Sequence, residues 1–289
     1  LGEAYAALNQ PQEAVKHLLE VERTAPRSPY RLDAYLQLKK LYREDPARYQ
    51  SILEKIFIEF PKTDEAVAAG RELAELHIRF KTYSRAVEVL ETLYKLWKTE
   101  DPDGMLRLQL ATAYAGLRDY IEAADYLKNV EQEHRNLLLK EPAFILTAAQ
   151  IQYSTRHFAE AISLLERLIN VFPSSPLVLE AAVLLARSQE HNKNPFLGAV
   201  TLIQVMKDRS PGIRRHEMML LLGQLLSLLS PDERDQLARS YPGMTDIDQL
   251  LRQVYANAQE PDLKRQACQI LARDLRNRGL PDKAAELYI

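Results

Sequence analysis

Three stretches decide how the chain folds: Tyr83-Ser84-Arg85-Ala86 followed by Leu90, Tyr120-Ile121-Glu122-Ala123 followed by Leu127, and Phe158-Ala159-Glu160-Ala161 followed by Leu165. Each places an aromatic residue, a small residue three positions on, and a leucine four beyond that. The three alanines are 37 and 38 residues apart, and Gly198 with Leu202 continues the series 37 residues later. Ala14 with Leu18 lies 72 residues, two periods, before Ala86. Self-similarity at a fixed period of this size marks a stacked helical repeat, in which each unit buries its apolar face against its neighbours. Small residues let two helices approach closely, while large ones fill the groove of the next repeat.

Around these positions the apolar residues recur at helical spacing, as in Leu73, Leu76 and Phe80, then Val87, Leu90 and Leu93. Prolines punctuate the pattern: Pro26, Pro46, Pro61, Pro102, Pro142, Pro173, Pro211, Pro231, Pro242 and Pro261 all fall between periodic segments. Proline is tolerated in the first turn of a helix or beyond its end, not in its interior. Ser230-Pro231-Asp232-Glu233 has the form of a capping box. The chain therefore reads as many short helices joined by tight turns, with a shortened turn expected around Asp45-Pro46.

Composition narrows the function. The 289 residues are 46% hydrophobic and 27% charged, enough for a large core. Basic and acidic residues number 38 and 40 and are spread throughout, so no global positive field points to nucleic acid. With Cys268 as the one cysteine, no intrachain disulfide can form; its position in a helix suggests a buried structural thiol. The longest apolar run, Met218 to Leu229, contains Gln224 and Ser227. It falls short of the roughly 20 residues a membrane span requires.

The repeated motif resembles the tetratricopeptide repeat, a helix–turn–helix unit of about 34 residues. Leu1-Gly2 with Tyr5, Ala14, Leu18 and Pro26 matches its pattern closely. So do Leu73-Ala74 with Ala86 and Leu90, and Leu110-Ala111 with Tyr114, Ala123 and Leu127. Ala148-Ala149 with Ala161, Leu165 and Pro173 is a looser copy, and Leu271-Ala272 with Gly279, Ala284 and Tyr288 is the last. The family's first-helix tryptophan is missing, since Trp97 falls late in a second helix, and the period is longer than the family's. The resemblance implies an all-α fold, a right-handed α-solenoid of antiparallel helix pairs. Residues 1–204 are expected to hold about five to six pairs. Residues 205–262 form a degenerate helical region, with short helices near 231–240 and 246–257, and residues 263–289 a truncated final repeat. Leu1 and Ile289 both fall inside helices of the pattern, so a longer protein is expected.

No catalytic motif accompanies the repeats: the sequence has no GxGxxG, P-loop, GxSxG or CxxC. His216-Glu217 begins like a zinc-protease helix, but Leu220 stands where the second histidine belongs. The six histidines lie in different repeats without ligand spacing, and Asp101 and Asp103 sit in a Pro- and Gly-containing linker. Neither enzymatic activity nor a metal or cofactor is expected.

What remains is surface. In the family the first helices line the concave face, where partners bind. Carried over repeat by repeat, those positions are Arg71, Glu75 and Arg79, then Gln109 and Thr112, then Gln150, Tyr153 and Ser154. Arg187, Glu190 and His191 follow, then Gln224 and Ser227. The asparagine that family members use to clamp a chaperone's terminal carboxylate is replaced by Glu3, Lys40, Glu75, Thr112, Gln150, Arg187 and Gln224. That specialisation is not expected. A basic cluster of Arg209, Arg214, Arg215 and His216 reads either as a solvated loop or as a contact for an acidic partner or anionic lipid.

The resemblance implies a protein–protein interaction scaffold binding a peptide or protein segment on a concave helical groove. The alternative is a targeting or regulatory region of a larger enzyme. Phe172-Pro173-Ser174-Ser175-Pro176 is similar to phrases in bacterial envelope-associated repeat proteins, which favours the cell envelope or periplasm over the cytoplasm.

Overall fold

The computed structural model describes residues 1–25, 28–97, 104–209 and 212–285. Pro26, Asp101, Pro102, Asp103, Pro211 and Tyr288, which the sequence pattern places in linkers or repeats, lie outside these residues. Among the described residues the secondary structure is helical, without strands. No helix among them is long and apolar enough to cross a membrane.

The chain divides into two compact units, Leu1–Leu137 and Leu138–Ile289. The first contains α1 (Gly2–Ala7), α2 (Pro11–Thr24), α3 (Arg31–Leu41), α4 (Pro46–Glu59), α5 (Asp64–Arg79), α6 (Tyr83–Trp97), α7 (Met105–Gly116) and α8 (Tyr120–Glu133). The short α9 (Arg135–Leu138) stands at the division. The second contains α10 (Pro142–Ser154), α11 (Phe158–Val171), α12 (Val178–His191), α13 (Pro195–Asp208), α14 (Arg215–Leu228), α15 (Pro231–Ser240), α16 (Ile247–Asn257), α17 (Pro261–Asn277) and α18 (Pro281–Ala285). Within each unit, successive helices pack side by side in hairpins, the arrangement of an α-solenoid.

The repeated small residues sit where the period predicts. Ala14, Ala86, Ala123 and Ala161 are fully buried, as are Leu90, Leu165 and Leu202. Gly198 occupies the same position in α13 and is also buried. An added methyl there would come within 2.9 Å of the Ala186 carbonyl oxygen on α12.

The turns repeat as faithfully. Asn9, Lys81, Arg118, Arg156, Lys193 and Gly279 each take a positive φ between the two helices of a hairpin. At each, the next amide donates back five residues, as Asn194 N–H does to Gln189 C=O and Thr82 N–H to His77 C=O, both at 2.8 Å. This is the left-handed C-terminal cap of an α-helix. The α3–α4 connection is the exception and corrects the expectation of a shortened turn. It has four residues, Tyr42 to Asp45, with no positive φ, and α4 is capped instead by the Asp45 carboxylate accepting from Arg48 N–H at 3.1 Å.

The irregular region of the second unit has a simple cause. α14 packs against α13, α16 and α17, and α15 is inserted between the members of a hairpin. Met218, Met219, Leu220, Leu221, Leu222, Leu225 and Leu226 of α14 are consequently buried nearly all round, as expected of a helix apolar on every side. The insertion begins with the expected capping box: Ser230 accepts from Glu233 N–H while the Glu233 carboxylate accepts from Ser230 N–H. Arg234 then donates to the carbonyls of Ser227 and Leu229 at 3.1 and 3.2 Å and to the buried carboxylate of Asp274 at 3.3 Å. Cys268 is half-buried rather than in the core, because Ala267 and Leu271 hold the inward face of α17. Partial burial pushes its thiol pKa up, which keeps it protonated.

Candidate functional site

In the second unit the first helices of the hairpins are α10, α12, α14 and α17. Between them lies a groove of about 970 Å³. One wall carries Tyr153 from α10 and Arg187, Glu190 and His191 from α12. The floor carries Arg214, Glu217, Leu220 and Gln224, on or just before α14. The far wall is Asn257, Gln259, Glu260, Leu263 and Gln266, around the start of α17.

The near wall and floor are stitched together at one-repeat spacing. Gln150 donates to Glu180 at 3.2 Å, and Arg214 bridges Glu180 at 2.9 Å and Glu217 at 3.2 Å. Arg187 donates to the other oxygen of Glu217 at 3.4 Å, and Gln224 donates to Glu190 at 2.8 Å. These contacts are partly exposed, and each pair contributes about 0–1 kcal/mol. Their effect is to fix side-chain positions. The basic cluster is thereby divided: Arg214 belongs to this network, while Arg215 on the first turn of α14 is exposed.

At the upper end of the wall three rings meet. Tyr153 lies 5.6 Å from Phe158 and 5.6 Å from His191, and His191 stacks on Phe158 at 5.0 Å. Burial raises the Tyr153 phenol pKa; Arg187 pulls it down and Glu190 pushes it up. Tyr153 is therefore a neutral donor that lines the groove, with Arg187 and Glu190 in electrostatic range.

The first unit holds the remaining sequence-predicted positions. Glu75 and Arg79 line a recess of about 380 Å³ with Lys39, Lys40, Arg43, Tyr49 and Glu72. Lys39 pairs with Glu72 at 2.6 Å, and Arg79 with Glu75 at 3.6 Å. Tyr49 also donates to Glu72, and its pKa is pushed up to about 12 by burial and by that carboxylate. Arg71 is half-buried on α5. Gln109 is half-buried on α7, and the Thr112 hydroxyl donates to Leu108 C=O of its own helix at 2.8 Å. No group of metal-binding side chains occurs among the described residues.

The sequence pattern thus located one wall and part of the floor of the groove in the second unit. It missed Gln259, Glu260, Leu263 and Gln266. The signal was present, since Leu271-Ala272 fixes the register of α17, but the inserted α15 hides which helix precedes it.

A tetratricopeptide repeat model matches residues 145–175. No characterised protein sequence matches the chain. Among solved structures, a tetratricopeptide repeat protein from Parabacteroides merdae is 12% identical over 93% of this chain and 95% of that one, with a TM-score of 0.50. The C-terminal part of a TPR repeat-containing protein from Cytophaga hutchinsonii is 13% identical over 92% of this chain and 97% of that one, with a TM-score of 0.56. The APC/C hetero-tetramer Cut9–Hcn1 aligns at 12% identity over 95% of this chain and 48% of that one, with a TM-score of 0.52. Tetratricopeptide repeats generally mediate protein–protein interaction and are typically non-catalytic. The chain therefore carries one matched tetratricopeptide repeat, at residues 145–175, within a helical-repeat fold similar to that of these tetratricopeptide repeat proteins.

Proposed function

We propose that the chain is a protein-binding scaffold whose second unit receives an extended segment of a partner in the groove between α10, α12, α14 and α17. The observation that carries this reading is the groove itself, a recess of about 970 Å³ with a fixed polar wall, an aromatic edge and a facing wall of amides. Side chains already held by neighbouring helices lose little freedom on binding, which lowers the entropy cost of association. Amides on the facing wall suit the N–H and C=O groups of an extended backbone. Tyr153 is the anchor, since aromatic residues are enriched at binding hot spots. On the first unit, Arg71, Glu75, Arg79, Gln109 and Thr112 are the corresponding contact positions.

Photo-crosslinking tests the assignment. p-Benzoylphenylalanine is placed singly at Leu263, at Gln266, and at Ile121 as a control, which is 77% exposed on α8 of the other unit. Each variant is irradiated in an extract of the native organism. Leu263 and Gln266 should give a shared protein adduct that Ile121 does not. Adducts from Ile121 alone would move the binding surface away from the groove.

A further inference from the structure

The charges of the groove do not cancel. Glu180 and Glu217 are answered by Arg214 and Arg187, all within one network. Glu190 is different. Its partner is the neutral amide of Gln224 at 2.8 Å, and it forms no ion pair among the described residues. Glu260 on the far wall likewise has no cationic partner among them. The groove therefore carries two carboxylates without counter-ions, on opposite walls. Arg215, a basic residue outside the network, does not line it.

Glu190 also stands beside an aromatic surface. Tyr153 and His191 line both the groove and a side recess of about 440 Å³ that includes Phe158 and Arg156. Arg156 lines the side recess and not the groove; Arg187, the cation in electrostatic range of Tyr153 on the groove side, is engaged by Glu217, so the charge left unanswered beside Tyr153 is that of Glu190. An aromatic ring near a carboxylate without a counter-ion favours a planar or tetrahedral cation, attracted by the ring quadrupole and by the negative charge together.

We infer that the groove selects a partner segment bearing a cationic side chain, arginine or lysine, which lies on Tyr153 and pairs with Glu190, with Glu260 drawing a second positive charge to the far wall. The inference rests on the binding reading above and adds the chemistry of the occupant.

The test uses the full chain and fluorescein-labelled dodecapeptides of alternating alanine with arginine, glutamine or glutamate, followed by fluorescence anisotropy. The arginine peptide should bind at least tenfold more tightly than the glutamine peptide, and the glutamate peptide should not bind. Glu190→Gln keeps the shape of the side chain and its contact with Gln224, and should weaken the arginine peptide at least fivefold. Glu166→Gln, an exposed acidic position on α11, should leave it unchanged. Equal binding of the arginine and glutamine peptides, equal losses in the two variants, or no binding of the arginine peptide would overturn the inference. A groove-crosslinked partner segment without arginine or lysine would overturn it too, while leaving the binding reading intact.

Discussion

A Cβ placed on Gly198 would lie 2.9 Å from the carbonyl oxygen of Ala186, closer than a carbon and a backbone oxygen can approach without movement. The α12–α13 hairpin is thus set by backbone against backbone, at the position where other repeats carry alanine. Two effects of Gly198→Ala oppose each other. Helix propensity favours alanine by about 0.5–1 kcal/mol, whereas overpacking a tight contact costs about 1–3 kcal/mol. Packing should win, and thermal melts should show a lower midpoint. A higher midpoint would mean that the crossing is looser than described.

Ala123 makes the same point in the first unit. It is fully buried, so Ala123→Leu should destabilise by about 1–3 kcal/mol through overpacking. Unchanged denaturant midpoints would show that the repeat register is misplaced.

Asp274 is 1% exposed at its side chain and is held by Arg234 and Arg278, at 3.3 and 3.4 Å. Breaking a buried pair by removing one partner destabilises by about 3–5 kcal/mol. Arg234→Ala should approach that range, because Arg234 also caps the Ser227 and Leu229 carbonyls. Arg278, which is 51% exposed, should matter less. Urea titrations of the two variants decide; equal losses would show that Arg234 does not close the end of α14.

Lys193 holds a positive φ of 62° in the turn of the Gly198 hairpin. A β-branched residue is strongly disfavoured there. Lys193→Val should therefore destabilise by about 1–2 kcal/mol, while Lys193→Gly should not. Equal melting temperatures for the two would show that the turn relaxes to another conformation.

His77 is 4% exposed, with its Nδ1 2.9 Å from the Thr82 hydroxyl. Burial, reinforced by Arg85, lowers its pKa. The folded state therefore prefers the neutral ring, and the sign of the linkage follows. Its contribution is fully present above the unfolded pKa of about 6.5, and is lost as pH falls through the lower folded value. Stability should decline from about pH 6.5 downward, before the carboxylates titrate, and His77→Gln should flatten that slope. A variant with the parent's slope would remove His77 as the cause.

Much of this was legible in the sequence because repeats state their contacts more than once. The spacing from Ala86 to Ala161 marked the helix crossings, and Ser230 with Glu233 announced the start of α15. Local patterns failed where structure depends on distant partners. Arg214 read as part of a solvated basic loop because Glu180, 34 residues earlier, is invisible to local pattern. Only the last of these hairpin turns, at Gly279, was marked by glycine, since arginine or lysine takes the left-handed position in four of them. The far wall of the groove was hidden for the same reason, the inserted α15 having broken the period.

The most direct test of the groove as a protein-binding surface measures the affinity of the crosslinked partner for the parent chain, Tyr153→Ala and Arg215→Glu at two ionic strengths. Tyr153→Ala should weaken binding tenfold or more at both, as loss of an aromatic hot spot worth about 2 kcal/mol requires. Arg215→Glu should have little effect at either. Undiminished affinity for Tyr153→Ala, with a loss in Arg215→Glu that fades at high salt as exposed charges do, would contradict the account and move the site to the exposed start of α14.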